Sequence, residues 1–158
     1  MNKYFKIAAM VALCLGLSYF SKQVTQTSLQ TWYPTLVKPS FNPPNWAFPV
    51  AWITLFILMG IAAGLVWAEM QNKPEAVKKA LLFFGIQLIL NVLWSILFFG
   101  LRNPMLALIE VVLLWFLIYE TFIKFNRVNT AAGYLLIPYL IWVGFATILN
   151  AGIVYLNP

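Results

Sequence analysis

Five long apolar runs decide the solvent in which this chain folds. They lie at about Tyr4 to Phe20, Ala47 to Ala68, Ala80 to Gly100, Pro104 to Phe122 and Ala131 to Leu156. An α-helix needs roughly 20 apolar residues to cross the hydrocarbon core of a bilayer. A membrane barrel would instead show short segments of alternating hydrophobicity. Charged residues make up only 9% of the chain, against about 25% in an ordinary soluble domain. The expected fold is all-α: a single integral membrane domain, residues 1–158, built as a bundle of five transmembrane helices.

Between the runs the punctuation is clear. Gln71-Asn72-Lys73-Pro74-Glu75, Arg102-Asn103-Pro104 and Asn126-Arg127-Val128-Asn129-Thr130 are short connections, which make sequential helices antiparallel neighbours. The first connection, Ser21 to Trp46, is too long for a turn. It carries Trp32, Tyr33 and four prolines, and Pro39, Pro43 and Pro44 cannot sit inside a long helix. Its aromatic content predicts a packed lid over the bundle, a long capping loop between the first two helices. The N-terminal run lacks a small-x-small cleavage site after Phe20, so it is expected to be retained as the first span.

Lysine and arginine set orientation. Lys3, Lys6, Lys73, Lys78, Lys79, Lys124 and Arg127 fall on the side of the N-terminus, and Lys22, Lys38 and Arg102 on the other. The N-terminus is therefore expected in the cytoplasm, with the first loop and the C-terminus outside. Net charge is +6, but the cations are scattered through connections without an aromatic-interleaved basic stripe, so no nucleic-acid partner is expected.

The chain has no histidine, and its one cysteine, Cys14, lies inside an apolar run. The commonest general base, metal ligand and haem axial ligand are therefore missing. No metal site, obligatory cofactor or catalytic constellation is expected, and membrane lipid is the surrounding partner. Seven tryptophans are present. Trp46 and Trp67 suit the headgroup level at the two ends of the second run. Trp94, Trp115 and Trp142 fall within spans and either fill the core or line a cavity. Gln87, Asn91, Trp94 and Ser95 share a face of the third run, and Tyr139, Trp142, Ala146 and Asn150 a face of the fifth. Together with Glu110 these polar groups must face the bundle interior, where interhelical hydrogen bonding and a ligand cavity are both open alternatives. Gly60 and Gly64 form a G-x-x-x-G pair that serves either internal packing or a dimer face. Pro138 predicts a kink in the fifth span.

Trp32-Tyr33, Lys38-Pro39, Pro43-Pro44, Phe48-Pro49-Val50-Ala51-Trp52, Leu90 to Ser95, Phe98-Phe99-Gly100, Pro138 to Ala146 and Leu149-Asn150 together resemble the signature of the translocator protein (TspO) family. Its bacterial members are called tryptophan-rich sensory proteins and its mitochondrial ones peripheral benzodiazepine receptors. The resemblance implies a five-helix bundle, often dimeric, in a bacterial membrane, with a ligand cavity capped by the first loop. It implies binding of porphyrins such as protoporphyrin IX, of haem, of sterols and of benzodiazepine-type drugs. Its cavity positions correspond to Pro43, Pro44 and Trp46 near the lid, Trp52 and Phe56, Gln87, Asn91 and Trp94, and Trp142, Ala146 and Leu149. The function so implied is a porphyrin sensor, carrier or scavenger. Light-dependent porphyrin degradation aided by Trp52 or Trp142, and transport of porphyrin or sterol, are the alternatives. No basic residue follows Tyr139 or Tyr155, so a sterol motif of the Leu/Val-Tyr-Lys/Arg kind is incomplete at the fifth span. Lys22 or Lys38 is a candidate partner for porphyrin propionates.

Overall fold

The structure, a computed structural model, describes residues 2–158. It is a bundle of helices with no strand among the described residues: α1 (Lys3–Thr31), a 3-10 turn (Tyr33–Thr35), α2 (Ala47–Trp67), α3 (Pro74–Ser95) running into a π-turn (Ile96–Gly100), α4 (Pro104–Val128), α5 (Thr130–Leu135) and α6 (Ile137–Leu156). Five stretches are long and apolar enough to cross a membrane: Lys3–Thr31, Ala47–Trp67, Pro74–Gly100, Pro104–Val128 and Thr130–Leu156.

The helix starts follow local chemistry. Asn2 accepts a hydrogen bond from the Phe5 amide (2.8 Å), Asn103 from Leu106 (3.1 Å) and Asn129 from Ala132 (3.0 Å). Each satisfies one of the amides that a helix N-terminus leaves without a partner. Pro74 and Pro104 stand in first turns, where a missing N–H is harmless. At the other end of α4, the Lys73 ammonium donates to the Val128 carbonyl at 3.1 Å, a cation where the helix dipole favours one. The expected break near Pro138 falls at Leu136, between α5 and α6. Arg102 takes a left-handed conformation (φ 54°) and reverses the chain from the π-turn into α4.

One expectation is corrected. The segment from Ser21 to Trp46 is not one long loop: Ser21 to Thr31 continue α1 as regular helix. Length, aromatics and prolines predicted a loop, yet all four prolines lie beyond Thr31, and Ser21, Lys22, Thr25, Gln26, Leu29 and Gln30 recur at helical spacing along one face. What remains between α1 and α2 is the shorter connection of residues 32–46. It is tied to the far end of α6, where Asn157 accepts from the Val37 amide (2.9 Å) and donates to the Val37 carbonyl (2.8 Å). Pro39 packs so closely on Gly152 that a Cβ there would stand 2.5 Å from the Pro39 ring.

The Gly60–Gly64 pair is used inside the chain. A Cβ on Gly60 would lie 2.5 Å from the Val11 Cα, and one on Gly64 would run into the Ile7 backbone. These glycines let α1 and α2 touch backbone to backbone, and Lys6 lies over the Trp67 ring (5.6 Å) at the same end. The other end of α1 is pinned to α3. The buried Ser28 hydroxyl donates to the Phe99 carbonyl at 2.6 Å and accepts from Arg102 Nε at 3.3 Å. Since the π-turn disturbs the regular helical ladder around Phe99, a side chain from a neighbour is free to reach its carbonyl. Helix α1 is therefore fixed at both ends, and between the fixed points it stands away from α3.

Candidate functional site

That separation creates a cavity of about 310 Å³. Pockets that take small ligands run from about 300 Å³ to 1,000 Å³. One wall is the second half of α1: Ser18, Ser21, Lys22, Thr25, Gln26, Leu29 and Gln30. The other is aromatic, from Phe48, Trp52 and Phe56 on α2 and Trp94 and Phe99 on α3 and its π-turn, with Asn91 and Ser95 between them. Each wall follows from its sequence. The α1 residues recur every three or four positions, one helical face, and Trp52 and Phe56 lie one turn apart on α2, their rings 6.0 Å apart.

Behind the aromatic wall lies a second space of about 30 Å³, the volume one water occupies in the liquid. It is bounded by Tyr33, Phe48, Trp52, Trp94, Phe98, Trp142, Phe145, Ala146, Leu149, Asn150 and Ile153. Phe48, Trp52 and Trp94 belong to both spaces and form the partition between them. Trp52 meets Trp142 edge to face (6.4 Å, 89°), and Trp94 stacks on Phe98 (5.1 Å, 25°). Trp94 Nε1 donates to Asn150 (3.1 Å), whose amide donates to the Pro104 carbonyl (2.9 Å). The Trp142 indole N–H is buried without a partner among the described residues.

The residues singled out from the sequence therefore divide into groups. Trp52, Phe56, Asn91 and Trp94 line the large cavity, while Trp142, Ala146 and Leu149 line the small one together with Trp52 and Trp94. Gln87 lines neither. It accepts from the Tyr139 hydroxyl (2.6 Å), which in turn accepts from Asn91 Nδ2 (2.6 Å), and its own amide points at the Met59 sulfur (4.0 Å). This buried relay joins α2, α3 and α6. Pro43, Pro44 and Trp46 line neither cavity; Pro44 and Trp46 are exposed. Trp115 braces the core, donating to the Leu140 carbonyl at 3.0 Å beside Gly144.

Of the two lysines near this end, Lys38 is engaged locally. Its ammonium donates to the Tyr33 and Leu36 carbonyls, both at 3.0 Å, and sits 4.9 Å over the Tyr33 ring. Lys22 lines the large cavity. Of the α1 wall only Lys22 is singled out by the sequence, because the residues from Ser21 onward read as loop. The signal was present as the spacing Ser18, Ser21, Lys22, Thr25, Gln26 and Leu29 in a stretch without helix breakers. Among the described residues no cluster of three or more metal-ligating side chains occurs.

The sequence profile of the TspO/MBR family matches residues 10–156. The chain is 44% identical over 159 residues to the tryptophan-rich protein TspO of Chlorobaculum tepidum, covering 100% of both chains. It is 39% identical over 152 residues to the protein of the same name from Archaeoglobus fulgidus, with 96% of this chain and 97% of the relative aligned. The human translocator protein is 38% identical over 119 residues, which is 75% of this chain and 70% of that one. Since these similarities run through the five apolar helices and both cavity walls, the chain is a member of the TspO/MBR family of integral membrane proteins.

Proposed function

We propose that this protein binds porphyrin-like molecules, such as protoporphyrin IX or haem, inside the bundle and acts as a tetrapyrrole sensor, carrier or scavenger. The observation that carries this reading is the large cavity with one flat aromatic wall. Trp52, Phe56, Trp94 and Phe99 offer ring faces and edges to a planar ligand, and aromatic contacts of this kind add about 0.5–1.5 kcal/mol each beyond burial. The partition of Phe48, Trp52 and Trp94 is made of side chains alone, so rotating them would merge the small space with the large one and bring Trp142, Ala146 and Leu149 to the ligand. Residues 32–46, folded over the end of α6, act as the lid. Sterols and benzodiazepine-type drugs, apolar and compact, are further ligands for the same space. The names of relatives, sensory in one and translocator in another, fit binding followed by signalling or transfer.

Light-dependent degradation of the pigment is a second reading. Trp52 lines the large cavity and abuts Trp142, giving a bound pigment two adjacent indoles as redox neighbours. In the proposed arrangement the chain sits in a bacterial membrane with its N-terminus in the cytoplasm. A homodimer would use a face other than Gly60–Gly64, which α1 occupies.

Titration of the protein in nanodiscs with protoporphyrin IX, followed by tryptophan quenching in the dark and under illumination, tests the reading. Saturable quenching should weaken about tenfold or more in Trp52→Ala, the loss of a large aromatic contact at a binding centre. Ala146→Phe, which fills the small space, should weaken it as well if the partition opens. Absence of saturable binding, or binding indifferent to both substitutions, overturns it. Pigment loss that requires light and Trp52 or Trp142 would favour the enzymatic reading.

A further inference from the structure

The two walls of the large cavity differ in chemistry. Opposite the aromatic wall, α1 presents hydroxyls and amides along one face with Lys22 among them, and no acidic residue lines the cavity. Polar groups inside a bilayer-spanning bundle are normally satisfied by one another. Along this wall one buried group is not: the Ser21 hydroxyl, on a residue 9% exposed, borders the cavity and has no hydrogen-bond partner among the described residues. Lys22 is likewise without a salt bridge or hydrogen bond among the described residues, whereas Lys38 is held by two carbonyls and Arg102 by Ser28. A lone cation beside an unsatisfied hydroxyl donor is a pair of groups to which an acceptor with negative charge is complementary.

We propose that the large cavity selects ligands bearing a carboxylate, the acid accepting from the Lys22 ammonium at the rim and from the Ser21 hydroxyl deeper in, while the apolar body lies on the aromatic wall. This rests on the cavity being the ligand seat and adds to it a chemical class: acid-bearing apolar molecules over neutral ones of the same shape. The porphyrin dicarboxylic acids belong to this class, and so do long-chain fatty acids.

The test compares protoporphyrin IX with its dimethyl ester on the full chain in zwitterionic nanodiscs. The diacid should bind about fivefold more tightly, the upper range for a partly exposed ion pair. That ratio should fall toward one in Lys22→Gln, persist in Lys22→Arg and Lys38→Gln, and shrink in Ser21→Ala with ester affinity unchanged. No preference in the parent protein, or a preference that Lys22→Gln leaves intact, overturns the proposal. Should neither porphyrin bind, the porphyrin reading fails, and a fluorescent long-chain fatty acid against its methyl ester decides the acid selection alone. A Lys22-dependent preference there sustains it, and its absence removes it.

Discussion

Helix α1 carries the polar wall of the cavity, so its seat on α2 controls the site, and Gly60 is where that seat is most sensitive. In Gly60→Ala the new methyl would lie 2.5 Å from the Val11 Cα and 2.7 Å from its amide nitrogen. Carbon atoms rest at about 3.5–4.0 Å, so α1 must withdraw by about 1 Å; the opposing atoms are backbone, and no rotamer change relieves them. Overpacking of this kind costs about 1–3 kcal/mol. The gain in helix propensity from Gly to Ala returns about 0.5–1 kcal/mol, leaving a net loss of about 0–2.5 kcal/mol in the docking of α1, about 1 kcal/mol at mid-range. Cys14, the sole cysteine and fully buried in the cluster that includes Met59, reports that docking directly. A buried thiol reacts only when it is uncovered. Its labelling by a membrane-permeant maleimide should accelerate about fivefold, the factor corresponding to about 1 kcal/mol. Gly85→Ala is the control, since a Cβ there meets nothing within 4 Å, and its labelling rate should match the parent. Labelling of Cys14 at the parent rate in Gly60→Ala, with an unchanged melting temperature, would refute the view that this backbone contact seats α1.

Three further outcomes follow from buried polar groups. Tyr139→Phe removes two hydrogen bonds of 2.6 Å, each worth about 0.6 kcal/mol in a bilayer, and leaves the Asn91 amide and the Gln87 oxygen unpartnered, so a melting temperature several degrees lower is expected; an unchanged one would mean the relay is not stabilising. Both oxygens of Glu110 are buried without partners among the described residues, and an amide is less costly to bury than an ionisable group, so Glu110→Gln should melt higher, whereas a lower value would point to a partner for the carboxyl group. Burial pushes the Tyr33 phenol up to about 12. The folded state then keeps a proton that the unfolded chain releases from about pH 10, so this group's contribution is intact below that pH and is lost as pH rises toward 12. Tyr33→Phe should flatten the loss of stability measured between pH 10 and 12, and an identical alkaline profile would dismiss Tyr33 as its source.

What could be read along the chain was read from local pattern. Apolar runs of bilayer length gave five spans, Asn and Pro marked their starts, and Pro138 foretold the break at Leu136. The end of α1 was not legible in the same way. Ser21, Lys22, Thr25, Gln26 and Gln30 border the cavity, whereas Gln23, Thr27 and Thr31 are exposed and do not line it, and a stretch polar on every face resembles a loop. For Gly60 and Gly64 the sequence supplied the need for close approach but not the partner; only the assembled bundle brings Ile7 and Val11 onto them.

The same division holds at the site. Residue types alone determined that Asn91, Trp94 and Trp142 lie within spans and that their polar atoms must face inward, because lipid offers polar atoms no partner, while Trp52 was marked only by the family resemblance. Whether each fills, bonds or lines was decided by tertiary structure. Gln87 and Asn91 lie one turn apart on α3, yet both hydrogen-bond Tyr139, and only Asn91 also reaches the large cavity. Lys22 and Lys38 look equivalent in sequence, but the fold of residues 33–38 engages one while the course of α1 leaves the other at a cavity rim. Helical periodicity is a local property that one strand of sequence carries in full, whereas a cavity is a gap between helices distant in sequence, set by where α1 is held and where it is not.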